Sequence, residues 1–147
     1  MSTLSLSQAS GIVDEALAEG RRRGFSPLCV VVLDAGGHAV ALKREDRASH
    51  ARPRIATAKA AGCLSMGFGG REIARRAQSA PAFFDSLATL LPQGLLPVPG
   101  GVLIRSVDGA LLGAVGVTGD TSDNDEICAM AGIAAAGLVA DAGAQSP

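Results

Sequence analysis

Two segments of the chain gather most of the side chains with which chemistry could be done. The first, Arg47-Ala48-Ser49-His50-Ala51-Arg52-Pro53-Arg54, sets three cations and an imidazole beside the start of a helical pattern that carries Lys59 further inside. Unpartnered backbone N–H groups and the helix dipole favour an anion at such a place, and arginine adds a two-pronged geometry suited to a carboxylate or a phosphate. A solvated loop beside a helix accounts for the same residues without any ligand. Lys59 speaks for a site, because it falls among Ala56, Ala58, Ala60 and Ala61 and its ammonium needs a partner or a pocket mouth. His50 carries a proton near neutral pH, which makes it a candidate acid or base if Arg52 fixes a substrate carboxylate.

The second segment, Thr118-Gly119-Asp120-Thr121-Ser122-Asp123-Asn124-Asp125-Glu126, crowds four carboxylates into nine positions. Acidic residues in a first helical turn complement the dipole, and that covers Asp123 and Glu126. Asp120 precedes the cap and has no such account. The spacing lacks the central glycine and terminal glutamate of an EF-hand calcium loop. His38 and His50 are the only histidines, and neither has a second His or a Cys at ligand spacing, so no metal site built from side chains alone is expected. His38 follows a turn, where it should be exposed.

Thirteen Lys and Arg against fourteen Asp and Glu leave a formal charge of -1, which provides no basic excess for nucleic acid. Apolar stretches are broken before they reach a membrane span, and the N-terminus lacks a basic then hydrophobic leader, so a soluble cytoplasmic protein is expected. Cys29, Cys63 and Cys128 lie among apolar neighbours without paired spacing and read as buried structural thiols. At 147 residues a single domain is expected. With 48% hydrophobic residues but 3% aromatic and 19 glycines, its core must be built from small side chains.

The elements that must position these groups follow from periodicity. Ala9, Ile12, Val13, Ala16 and Leu17 lie on one face of a helix over residues 7–23, with Ser5 and Gln8 at capping-box spacing and Gly24 to end it. Residues 28–33 and 38–43 flank Asp34-Ala35-Gly36-Gly37 as a hairpin. A second hairpin, 102–107 and 110–117, flanks Asp108-Gly109, a pair suited to a type I′ turn. Between them lie a helix over 53–66 opened by Pro53, a looser helical stretch over 71–91 broken at Pro81, and a Pro/Gly loop over 92–101. A final helix starts at Asp123, capped through Asp123 and Glu126, and carries Ile127, Met130, Ala134 and Leu138 on one face. Two hairpins with helices before, between and after them predict an antiparallel sheet in a three-layer α/β/α domain of the α+β class.

The run Val31-Val32-Leu33-Asp34-Ala35-Gly36-Gly37-His38-Ala39-Val40 resembles the opening hairpin of the GlcG/HbpS haem-degrading family. Ile55-Ala56-Thr57-Ala58-Lys59-Ala60 is similar to its central helix, and Pro99-Gly100-Gly101-Val102-Leu103-Ile104 to its glycine loop and strand. Gly113-Ala114-Val115-Gly116-Val117-Thr118-Gly119, with Asp125-Glu126, resembles its closing strand and helix. The resemblance implies a profilin-like fold with a five-stranded antiparallel sheet, homo-oligomers, and haem binding or breakdown or a place in small organic-acid catabolism. Gly119-Asp120 stands where the family usually has a glycine pair, which implies that Asp120 pairs with Arg52 or acts on a proton.

For haem, the available iron ligands are His38, His50, Met66, Met130, the cysteines and Thr118, and Phe68, Phe83 and Phe84 are the aromatics nearest a pocket. That reading makes the protein a small-molecule binder of haem or a related tetrapyrrole. The alternative is a tautomerase, hydratase or hydrolytic dehalogenase of an unsaturated or halogenated carboxylic acid. There Arg52 and Lys59 hold the carboxylate, the Gly100 and Gly101 amides stabilise negative charge, and His50, Asp120 or Asp125 moves protons. A non-catalytic oligomeric accessory protein is the third reading.

Overall fold

The computed structural model describes residues 3–143. The first helix, α1 (Leu6–Arg23), begins and ends as its sequence dictates. Ser5 Oγ accepts from the Gln8 N–H and Gln8 Oε1 accepts from the Ser5 N–H, each at 3.0 Å, and Gly24 closes the helix at φ 72°.

The first hairpin joins β1 (Cys29–Asp34) to β2 (Ala39–Arg44), and the second joins β3 (Gly101–Arg105) to β4 (Leu111–Thr118). Both close in the same way. The carbonyl of Asp34 accepts from Gly37 as that of Ser106 accepts from Gly109, each at 2.9 Å, and the glycines lie at φ 86° and 94°. Asp108 is not at positive φ, so the expected type I′ turn is corrected to one that needs a single glycine, at its end.

Between the hairpins, α2 (Arg52–Met66) carries Pro53 in its first turn. The helical stretch expected to break at Pro81 does so and forms two helices, α3 (Gly70–Ser79) and α4 (Pro81–Leu90), because the proline fits only at a helix start. The last helix, α5 (Ser122–Ala135), is capped by Thr121, whose hydroxyl accepts from the Asn124 N–H at 3.2 Å. The cap therefore lies two residues before Asp123. The helix also ends earlier than its apolar pattern suggested: Leu138 lies beyond it, and Val139–Asp141 forms a short strand, β5.

The sheet has five antiparallel strands in the order β2-β1-β4-β3-β5, with helices on both faces, an α+β architecture. Strand alternation sends Val30, Val32, Ile104, Val115 and Val117 toward α1 and α5. Val31, Leu33, Leu103 and Ala114 face α2, Ile73 of α3 and Phe84 of α4. On that second face α2 lies almost directly on β4, since a Cβ at Gly116 would overlap the carbonyl of Ala56. The three cysteines are free and buried, and burial pushes their thiols up to about 11 for Cys29 and Cys128 and about 12 for Cys63. No helix among the described residues is long and apolar enough to cross a membrane.

Candidate functional site

Three cations from α2 and α3 converge on the end of β4 and the start of α5. Arg52, at the first position of α2, donates from Nη1 to Oγ1 of Thr118 at 2.7 Å. Thr118 is the last residue of β4 and is buried. Lys59, two turns further along α2, stands 3.0 Å from Oδ2 of Asp125 and donates to the Val117 carbonyl at 3.0 Å. Lys59 is 4% exposed and Asp125 1%, so this ion pair is closed to solvent. Arg71, near the start of α3, grips both carboxylate oxygens of Glu126 at 2.9 to 3.2 Å and reaches Asp123 at 2.7 Å.

Local backbone chemistry makes room for this seam. Gly100 lies at φ 117°, and a Cβ there would stand 2.8 Å from the Lys59 ammonium. Its carbonyl accepts from the Val117 N–H at 2.9 Å, so the approach to β3 is tied to β4 where Lys59 crosses. A Cβ at Gly101 would overlap the Lys59 carbonyl. The small pair Gly100-Gly101 thus lets the lysine pass from one layer of the fold to the other.

Burial drives Asp125 up from the ordinary carboxylate range, and the Lys59 charge resists it. The same burial drives Lys59 down, resisted by Asp125. The second oxygen of Asp125 accepts from the Asp120 N–H at 3.0 Å. Asp120 itself accepts from the N–H of Ser26 at 2.8 Å and of Thr121 at 2.9 Å, and from Nδ2 of Asn124 at 2.8 Å. Those donors, the Ser26 amide foremost, hold its carboxyl at about 2. The expected Asp120–Arg52 pair is corrected: Arg52 takes Thr118, and Asp120 fastens the chain before β1 to the start of α5.

The seam therefore unites Arg52, Lys59, Gly100, Gly101, Thr118, Asp120 and Asp125. His50 stands outside it, exposed on the approach to α2. Arg54 lines an open cleft of about 390 Å³ with Pro53, Thr57, Pro92 and Gln93. Phe83 and Phe84 lie on α4 with ring centroids 5.3 Å apart in an edge-to-face contact. Phe83 is exposed, whereas Phe84 is buried and lines a separate cleft of about 420 Å³ with Ala74, Ala77, Pro81, Pro97 and Pro99. Arg71 is absent from the residues singled out by the sequence. Its one signal was the i, i+3 spacing of Asp123 and Glu126, which place two carboxylates on one side of α5 and were assigned to a cap instead.

Comparison with known proteins agrees with the architecture. The model of the haem-degrading protein HbpS-like family matches residues 4–134. No curated protein matches. A solved complex of PduOC with haem superposes with a TM-score of 0.84 at 23% identity, over 94% of this chain and 98% of that one. A double mutant of HbpS from Streptomyces reticuli gives 0.79 at 28% identity, over 92% and 88% of the two chains. The Klebsiella pneumoniae protein ORFY gives 0.82 at 23% identity, over 93% and 92%. With most of its length matched and its five strands and five helices arranged as in these relatives, the chain belongs to the HbpS-like family of haem-degrading proteins.

Proposed function

We propose that this chain binds haem or a related tetrapyrrole, and that it does so on an open surface. The observation that carries this reading is the segment 50–54, where the exposed imidazole of His50 precedes Arg52 and Arg54, and Arg54 forms part of the wall of the cleft of about 390 Å³. Imidazole is a common iron ligand, guanidinium groups match propionates, and Pro53 and Pro92 offer apolar contact to a macrocycle. The exposed imidazole of His50 and, four residues on, Arg54 of the cleft wall form a donor set that suits the group. Haem, when bound, supplies an iron centre with ligand-binding and redox chemistry. The chain's own part is to hold it: His50 toward the iron and Arg54 toward the acid groups, while Arg52 stays bound to Thr118. Similarity to HbpS, and to a protein solved with haem, supports the reading.

Titration with haemin tests it. A Soret band that shifts on binding, and that weakens or moves in His50→Ala more than in His38→Ala, is expected. Weak, unshifted absorbance at saturating haemin overturns the reading. A Soret change lost in Phe84→Ala but kept in His50→Ala would move the ligand to the cleft beneath α4.

The buried Lys59–Asp125 contact at 3.0 Å supports a second reading, an enzyme of small organic-acid catabolism, because a desolvated acid–base pair is the kind of group such chemistry uses. It requires turnover of an unsaturated carboxylic acid that Arg52→Ala abolishes, and full turnover in that variant removes it. We also read the protein as a cytoplasmic homo-oligomer. Three free thiols suit a reducing compartment, and exposed apolar side chains such as Leu90, Val107 and Val139 are available to a subunit contact. A monomer in sedimentation at micromolar concentration would refute the oligomer.

A further inference from the structure

Arg47 adjoins Arg52 and Arg54 in sequence, but the fold sends it elsewhere. It lines a cleft of about 380 Å³ between α1 and the chain leaving β2, together with Leu17, Arg21, Lys43 and Arg44. The Ala48 N–H donates to the Glu45 carbonyl at 3.1 Å, closing a four-residue turn whose third residue is Arg47. Arg47 has φ 70° and is the one non-glycine residue at positive φ among the described residues. That position of a type II turn is one that glycine or asparagine fills without steric cost. The chain instead places a long cation there, at the wall of a cleft, and strained residues gather at ligand clamps.

The charges around it are unevenly spent. Glu45 accepts from the Leu28 N–H at 2.7 Å and pairs with Arg21 at 3.0 Å. Arg21 also donates to the carbonyls of Phe25 and Ser26 at 2.8 and 2.9 Å. Lys43 pairs with Asp14 at 2.7 Å, and Nη1 of Arg44 holds the Ala48 carbonyl at 2.6 Å. Among the described residues the Arg47 guanidinium has no hydrogen-bond or salt-bridge partner, Arg44 keeps its other N–H groups, and exposed Asp46 is the one acid lining the cleft not drawn into a pair.

We propose that this cleft binds a small polyanion, a compound bearing phosphate or carboxylate groups that Arg47 and Arg44 grip in bidentate fashion. The site is separate from the segment 50–54 and stands whether or not haem binds there.

Calorimetric titration of the full chain with inorganic pyrophosphate, and in parallel with citrate, tests it. At least one probe should bind the wild type, and the tighter one identifies the anionic group. Arg47→Gly should weaken that binding at least tenfold while raising Tm by about 2–4 °C, because glycine relieves the turn. Arg22→Ala removes the same charge from the outer side of α1 and should leave affinity unchanged. The proposal falls if neither probe binds at millimolar concentration, if Arg47→Gly binds as the wild type does, or if Arg22→Ala weakens binding equally.

Discussion

On one face of the sheet α1 and α5 fill the interior with Ile12, Val13 and Ile133 against a row of valines, while on the other the alanines of α2 lie almost backbone to backbone on Gly116 of β4. The first face is held by side-chain volume, and its buried carboxylates, Asp125 and Glu126, lie only at the start of α5. The second is thin, and at its end Lys59 passes over Gly100 to meet Asp125 on the opposite layer. Bulk holds one side together. Close approach on the other gives a polar group the short path it needs.

Breaking the seam should show the largest effect. Lys59→Met leaves Asp125 buried without its partner and should cost about 3–5 kcal/mol in urea denaturation. Adding Asp125→Leu should recover much of that loss, and additive losses would mean that the two do not act as a pair. On the bulky face, Ile12→Ala should cost about 2–5 kcal/mol by opening a cavity. The thin face responds to added atoms instead: Gly116→Ala should cost about 1–3 kcal/mol by forcing α2 from β4. Gly11→Ala, on the exposed side of α1 with nothing within 4 Å, should stabilise by about 1 kcal/mol. A loss at Gly11 equal to that at Gly116 would erase the distinction between the faces.

Acid should act through Asp120, whose folded carboxyl is held at about 2, below its ordinary value. A depressed carboxyl stabilises above its unfolded pKa, and that contribution fades as pH falls through the folded value. The Tm advantage of wild type over Asp120→Asn should therefore be constant near neutrality and shrink from pH 4 to pH 2. The smallest effect concerns the cysteines, two on the thin face and one on the bulky face. All three should resist alkylation at pH 8 in the native state and label in urea, as read by mass spectrometry.

Local signals were legible where the chemistry is local. Ser5, Gln8 and Gly24 bound α1 because capping groups lie within the segment they cap. Both hairpins announced themselves through β-branched runs and terminal glycines. The turn at Asp108 was misjudged because Asp-Gly serves two turn geometries, and strand twist and register choose between them. Strand β5 is three residues long and exists by pairing with β3, a contact that a window of sequence does not contain. In the seam, Lys59 stood out as a charge among alanines, and its partner lay in the acidic segment already noted. The pairing itself, and the grip of Arg71 on Glu126, join residues 66 and 55 positions apart and depend on how α2, α3 and α5 meet.

Strand order also bears on how the chain can fold. Each hairpin closes over a few residues and can form in microseconds, whereas the central β1–β4 pairing brings Cys29 to Thr118 across most of the chain. Two prefabricated halves must therefore meet at the middle of the sheet, and that encounter carries the loop-closure entropy of the whole molecule. Contacts that form only after that encounter slow unfolding while leaving the refolding rate nearly unchanged.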